Sequence, residues 1–119
     1  MRYLALSACA TLLIVAFGAQ AAQKDYYDTT DDGKKIAWMS KGREAVKTKL
    51  KDPDSAKFKG VYFFRGEDGV PMTCGAVNSK NSFGGYGGFQ RFVSAGRPNL
   101  TFLEEQVKGF DGVWQKFCE

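Results

Sequence analysis

The side chains best equipped for binding crowd into residues 73–93, TCGAVNSKNSFGGYGGFQRFV. Asn78 and Asn81 offer amide donors and acceptors there, and Lys80 offers an ammonium group. Tyr86 stands between two glycine pairs, and Phe89 follows them. An aromatic ring flanked by residues without side chains is easily reached by a partner. Asn78, Lys80, Asn81, Tyr86 and Phe89 are therefore the candidate binding residues. A purely local reading competes with this one. Loop asparagines commonly hydrogen-bond their own backbone, and glycines serve bulges and positive φ angles. The run from Phe83 to Phe89 is not a phosphate cradle. It lacks the Lys-Ser/Thr ending, and its continuation reads as a strand rather than a helix.

Other chemistries find little footing. The chain has no histidine, which removes the commonest general base, metal ligand and pH switch. Glu104-Glu105 and Glu67-Asp68 are sequence neighbours, whereas a glycosidase needs two carboxyl groups facing each other across a cleft. No catalytic residue, metal ligand or cofactor motif is assigned. Lys34, Lys41, Lys47, Lys49 and Lys51 could form an anion-binding face, but a solvated helix surface with cations toward its C-terminus is the preferred account of them. Asn99-Leu100-Thr101 matches a glycosylation triplet, which matters only in a eukaryotic secretory pathway.

The first residues read as a targeting segment. Arg2 precedes a nearly unbroken apolar run to Phe17, and Ala19-Gln20-Ala21 supplies a signal-peptidase pattern. Cleavage is expected between Ala21 and Ala22, leaving 98 of 119 residues. The apolar run is short for an uncleaved anchor, which needs about 20 residues. Leu6-Ser7-Ala8-Cys9 looks like a lipid-attachment box, but most of the apolar run follows Cys9, so lipid anchoring there is not expected. Loss of Arg2 leaves 16 basic against 13 acidic residues, a net +3. Such a mild excess suits a solvated surface and does not mark a nucleic-acid footprint. No stable membrane insertion is expected after cleavage.

Cys74 and Cys118 then remain. A cysteine pair in an exported chain reads as one disulfide. It would close a loop of about 45 residues, worth roughly 4 kcal/mol in the chain-entropy description.

These residues need elements to hold them. Residues 22–33 form a polar lead, with Asp31-Asp32 as a helix cap. Residues 36–50 have helical periodicity, with Ile36, Met39, Val46 and Leu50 on one stripe, Gly42 beside it and Trp38 off it. Asp52-Pro53 ends that helix. Residues 58–65 read as a strand with Phe58, Tyr62 and Phe64 on one face. A turn at 66–69 leads to a second strand, 70–78, whose apolar face is Val70, Met72, Cys74 and Ala76. A loop at 79–85, a third strand at 86–94 and a short fourth at 100–104 follow. Phe110, Val113, Trp114, Phe117 and Cys118 make one stripe of a final helix. The order predicts a single α+β domain over residues 34–119: N-terminal helix, a three- to four-stranded antiparallel meander, a short C-terminal helix and one disulfide. Both helices are expected on one face of the sheet.

The segments DPDSAKF, within residues 50–58, and CGAVNSKNSFGGYGGF, from Cys74, together resemble a set of small exported proteins of proteobacteria and their phages, mostly uncharacterised. The likeness spans about residues 50–93. It implies a bacterial envelope location and brings no activity with it. The expectation is therefore a periplasmic or secreted, non-enzymatic binding protein. Its partner would be an envelope protein or cell-wall enzyme, met in the manner of an inhibitor or immunity protein. The alternatives are a small ligand-binding protein or enzyme using residues 78–86, and a structural accessory of an envelope assembly. The oligomeric state is left open.

Overall fold

Alternating apolar residues between tight turns can only be buried by lining up side by side. A computed structural model describes residues 32–66 and 68–119, and its centre is a four-stranded antiparallel meander. The strands are β1 (Lys57–Arg65), β2 (Pro71–Asn78), β3 (Gln90–Ser94) and β4 (Thr101–Leu103), paired in sequence order. Helix α1 (Asp32–Lys47) precedes the sheet and helix α2 (Phe110–Cys118) follows it. The expected α+β domain is thus present. The expected signal segment, Cys9 and the expected polar lead up to residue 31 lie outside the described residues. Among the described residues, no helix is long and apolar enough to cross a membrane.

The helices do not share a face of the sheet. Met72, Cys74 and Val93 pack with Phe110 and Cys118 of α2. Val77, Phe92 and Leu103 pack with Val46 of α1. Neighbouring residues of a strand point to opposite faces, so Phe92 and Val93 serve different cores. The expectation of one covered face is corrected to a sheet covered on both. β2 accordingly does not alternate in burial. Met72, Thr73, Cys74, Gly75 and Val77 are all buried, as in a strand covered on both sides. Val70, expected in the core, precedes the strand and is exposed.

A bulge in β1 overturns a second expectation. Lys59 pairs with Ala76 but Tyr62 pairs with Cys74, so Gly60 and Val61 together stand opposite Gly75. Gly60 has φ 61°, which only glycine adopts at little cost. The extra residue reverses the parity of the strand. Phe58 therefore joins the α1 side, 5.7 Å edge-on from Phe92. Tyr62 and Phe64 turn to the α2 side. Gly75 lets the bulge lie close, since a Cβ there would sit 3.0 Å from the Val61 Cα.

Helix α1 ends three residues before the expected Leu50. Thr48 Oγ1 donates to the Ala45 carbonyl at 2.6 Å, a local bond that competes with helix continuation. Its buried residues are Gly42, Ala45 and Val46. Gly42 lies against Thr73, where even a Cβ would approach to 2.6 Å. That contact sets the rotation of the helix. At about 100° per residue, Trp38 falls within roughly 40° of the buried direction and Ile36 more than about 100° from it. Ile36, expected inside, is consequently 60% exposed, and Trp38, expected off the stripe, is half-buried.

Helix α2 has nine residues, too few to be stable alone in water. Its expected stripe docks as one, and Cys118 is bonded to Cys74 with their Cα atoms 6.0 Å apart. Tyr62 reinforces the same corner. Its hydroxyl donates to the Cys118 carbonyl at 2.8 Å, and its ring meets Trp114 edge-on. Burial, and then the nearby Glu119 charge, raise the Tyr62 pKa.

Candidate functional site

The loop between β2 and β3 is longer than expected, because the third strand begins at Gln90 rather than Tyr86. Gly88 has φ 103° and donates its N–H to Asn78 Oδ1 at 3.0 Å, which breaks the ladder there. Tyr86 instead forms an isolated bridge with Lys80. Asn81 organises the tip. Its Oδ1 accepts the N–H groups of Phe83 and Gly85 at 2.9 and 3.2 Å, and its own N–H donates to the Gly85 carbonyl. Asn78 and Asn81 therefore use their side-chain oxygens on their own loop. They position the site and do not offer those oxygens to a ligand.

The base of the loop is fastened to a distant turn. Ser55, in the 3-10 turn Pro53–Ser55, accepts the Lys80 N–H on Oγ at 2.8 Å. Its carbonyl accepts the Tyr86 hydroxyl at 3.1 Å. Tyr86 is thus a half-exposed anchor. What the loop presents outward is Phe83, which is 97% exposed, with Phe89 at 46%.

Beneath the rings lies a row of cations. Lys57 and Lys59 alternate along β1 and so share a face, and pairing places Lys59, Ala76 and Arg91 in one row of the sheet. Lys57 Nζ lies 4.4 Å from the Tyr86 ring centroid and Lys59 Nζ 4.7 Å from that of Phe89. Lys80 approaches Tyr86 from 5.9 Å. Each such contact is worth about 0.5–1 kcal/mol at an exposed site. Among the described residues, no carboxylate pairs with Lys57, Lys59 or Lys80. This is the half of the α2-side face that α2 leaves uncovered.

Arg91 closes the row and is already engaged. Its guanidinium stacks 5.3 Å from both Phe110 and Trp114 and bonds to Glu104 and Asp111. Hydrogen bonds to Glu104 and then Asp111 raise the Arg91 pKa. The Arg91 side chain and its backbone N–H hold Glu104 below the usual carboxylate value. A carboxylate locked in this way is a poor proton donor, and the neighbouring Glu105 carboxylate accepts from Gln90 Nε2 at 3.3 Å. Among the described residues, no group of three or more candidate ligands could hold a metal ion.

The five candidates are drawn into one surface, with Asn78 and Asn81 as scaffold, Tyr86 as anchor and Lys80 and Phe89 beside it. Phe83, Lys57, Lys59 and Ser55 were missed as site residues. The period-two spacing of the two lysines could have revealed them, and Ser55 had no local signal. Three clefts among the described residues lie elsewhere, around Trp38, Thr48 and Lys116. In comparisons, no protein-family model, curated protein or solved structure matches this chain.

Proposed function

We propose that this is an exported, non-enzymatic binding protein of the bacterial envelope, and that it docks an acidic protein surface onto its glycine-rich loop. The observation that carries the reading is Phe83. A phenyl ring held almost wholly in solvent, at the tip of a loop tied down by hydrogen bonds, gains nothing for the fold. Burying it against a partner would contribute about 1.5–3 kcal/mol. The flanking Lys57, Lys59 and Lys80 favour an acidic partner and would speed its approach. A preformed loop also loses little conformational entropy on docking. The surface has the combination expected of an inhibitor or immunity protein acting on an envelope enzyme. The Cys74–Cys118 bond and the apolar leader sequence support export. Exposed Phe83 and Phe89 at the loop suit contact with a protein surface.

The experiment is capture from a periplasmic extract with the chain from Ala22 onward. Phe83→Ser should abolish capture of the wild-type partner and leave the melting temperature unchanged. Lys57→Glu with Lys59→Glu should weaken capture, and 0.5 M salt should do the same. Undiminished capture by Phe83→Ser would refute this docking surface.

A further inference from the structure

A second surface lies on the other side of the sheet, independent of the loop. Gly42 brings α1 onto β2 at Thr73. Toward the helix start the packing opens beside Ala37. A cleft of about 220 Å³ remains there, between α1 and the turn end of the β1–β2 hairpin. Among the described residues its apolar walls are Ala37, the Trp38 indole, the Phe63 ring and Pro71. Lys41 Nζ lies 5.8 Å from the Trp38 ring centroid and Lys35 Nζ 5.8 Å from that of Phe63. A cavity of about 150 Å³ already takes one benzene-sized ring. This cleft therefore has room for one aromatic side chain but not for two.

We propose that the occupant is the chain's own segment 22–31, which lays one of its two tyrosines into this cleft and straps the open end of α1 to the sheet. The described chain begins at Asp32, in the first turn of α1. Trp38 stands six residues further on, about 9 Å along the helix axis. Tyr27 and Tyr26 precede Asp32 by five and six residues, a reach of up to about 16–20 Å when extended. A reversal over residues 29–31 therefore returns either ring to the cleft. The segment reads AQKDYYDTTD, and the tyrosine pair is its only large apolar surface. Neighbouring residues of an extended segment point opposite ways, so one ring enters and the other stays outside, as the volume requires. Asp25, Asp28 and Asp31 outnumber Lys24 in the segment, a sign that suits Lys35 and Lys41 beside the cleft. Exposed ion pairs contribute little, so the ring carries the docking and the charges favour its approach.

The test compares the ¹⁵N-labelled chain from Ala22 onward with Tyr26→Ser, Tyr27→Ser and the double variant. The two indole cross-peaks are assigned from Trp38→Phe. The wild type should show nuclear Overhauser contacts between one tyrosine ring of the segment and the Trp38 ring. The single variants identify that tyrosine. The double variant should lose the contacts and shift the Trp38 indole N–H and the amides of Ala37 and Phe63, leaving the Trp114 indole still. It should also lose about fivefold in the folding equilibrium, read as roughly 4–8 °C in melting temperature. Ala37→Leu, which fills the cleft from an exposed helix position, should expel the ring and abolish the contacts while the amide signals of β2 and β3 hold. The proposal is overturned if neither tyrosine contacts Trp38, or if the double variant leaves the Trp38, Ala37 and Phe63 signals in place. It is also overturned if the contacts fade on tenfold dilution, since the segment of a second copy would then be the occupant.

Discussion

Gly42→Ala tests whether a single close approach holds α1 on the sheet. On helix propensity alone the substitution should stabilise by about 1 kcal/mol. The tertiary contact opposes it. The added Cβ would sit 2.6 Å from both Thr73 Cβ and Oγ1, where ordinary contact begins at 3.4 Å. Thr73 is completely buried and lies on the central strand β2, so it has nowhere to move. The helix must lift by roughly the missing 0.8 Å. A gap of that size forfeits a quarter to a half of the dispersion energy at neighbouring contacts, here those of Ala45 and Val46. Overpacking of this kind costs about 1–3 kcal/mol. Because Thr73 is fixed, the cost falls in the upper part of that range, about 2–3 kcal/mol; it outweighs the propensity gain, and we expect a net loss of about 1–2 kcal/mol, or roughly 5–15 °C in melting temperature for a domain of this size. Gly112→Ala is the internal control. Gly112 lies in α2, and a Cβ there meets nothing within 4 Å. The same substitution should raise stability there by about 0.5 kcal/mol. Thermal unfolding by circular dichroism reads both. A Gly42→Ala protein as stable as the wild type or more so would refute the close-packing argument.

Two further outcomes follow from the α2 side. Replacing Cys74 and Cys118 together by alanine should cost about 4 kcal/mol, from the entropy of a loop with 44 residues of separation. Hydrogen exchange should show α2 losing protection first, and uniform loss across the sheet would contradict the docking role given to the bond. Glu104→Gln should change how stability depends on pH. The folded-state pKa of Glu104 lies below its ordinary 4.5, so its ionised contribution is present above about pH 4.5 and fades as pH falls through the folded value. The melting-temperature gap between wild type and Glu104→Gln should therefore be widest near neutrality and close toward pH 3. A gap that stays constant down to pH 2.5 would rule out the Arg91–Glu104 pair as its source.

Much of this architecture is local and was legible in the chain. The helix stripe from Phe110 to Cys118, the glycine-bounded turns and the four strands each follow from spacing that nearby residues settle among themselves. The disulfide needed little more, because both cysteines carried an inward phase within their own elements. The loop at residues 78–89 was also recognisable as the place where polar and aromatic side chains gather. The tertiary structure decided what depends on partners far along the chain. One extra residue at Gly60 reversed the faces of β1, which no period-two reading survives, so Phe58 and Tyr62 parted; the two helices took opposite sides because β2 and β3 present buried apolar residues to both faces. The Gly42–Thr73 contact chose the rotation of α1, exposing Ile36 and turning Trp38 to the sheet. Ser55 and Tyr86, 31 residues apart, met only because β1 and β2 pair above them. Periodicity reports which side of an element is apolar. Register and close approach are set by contacts between elements, and these determine what that side faces.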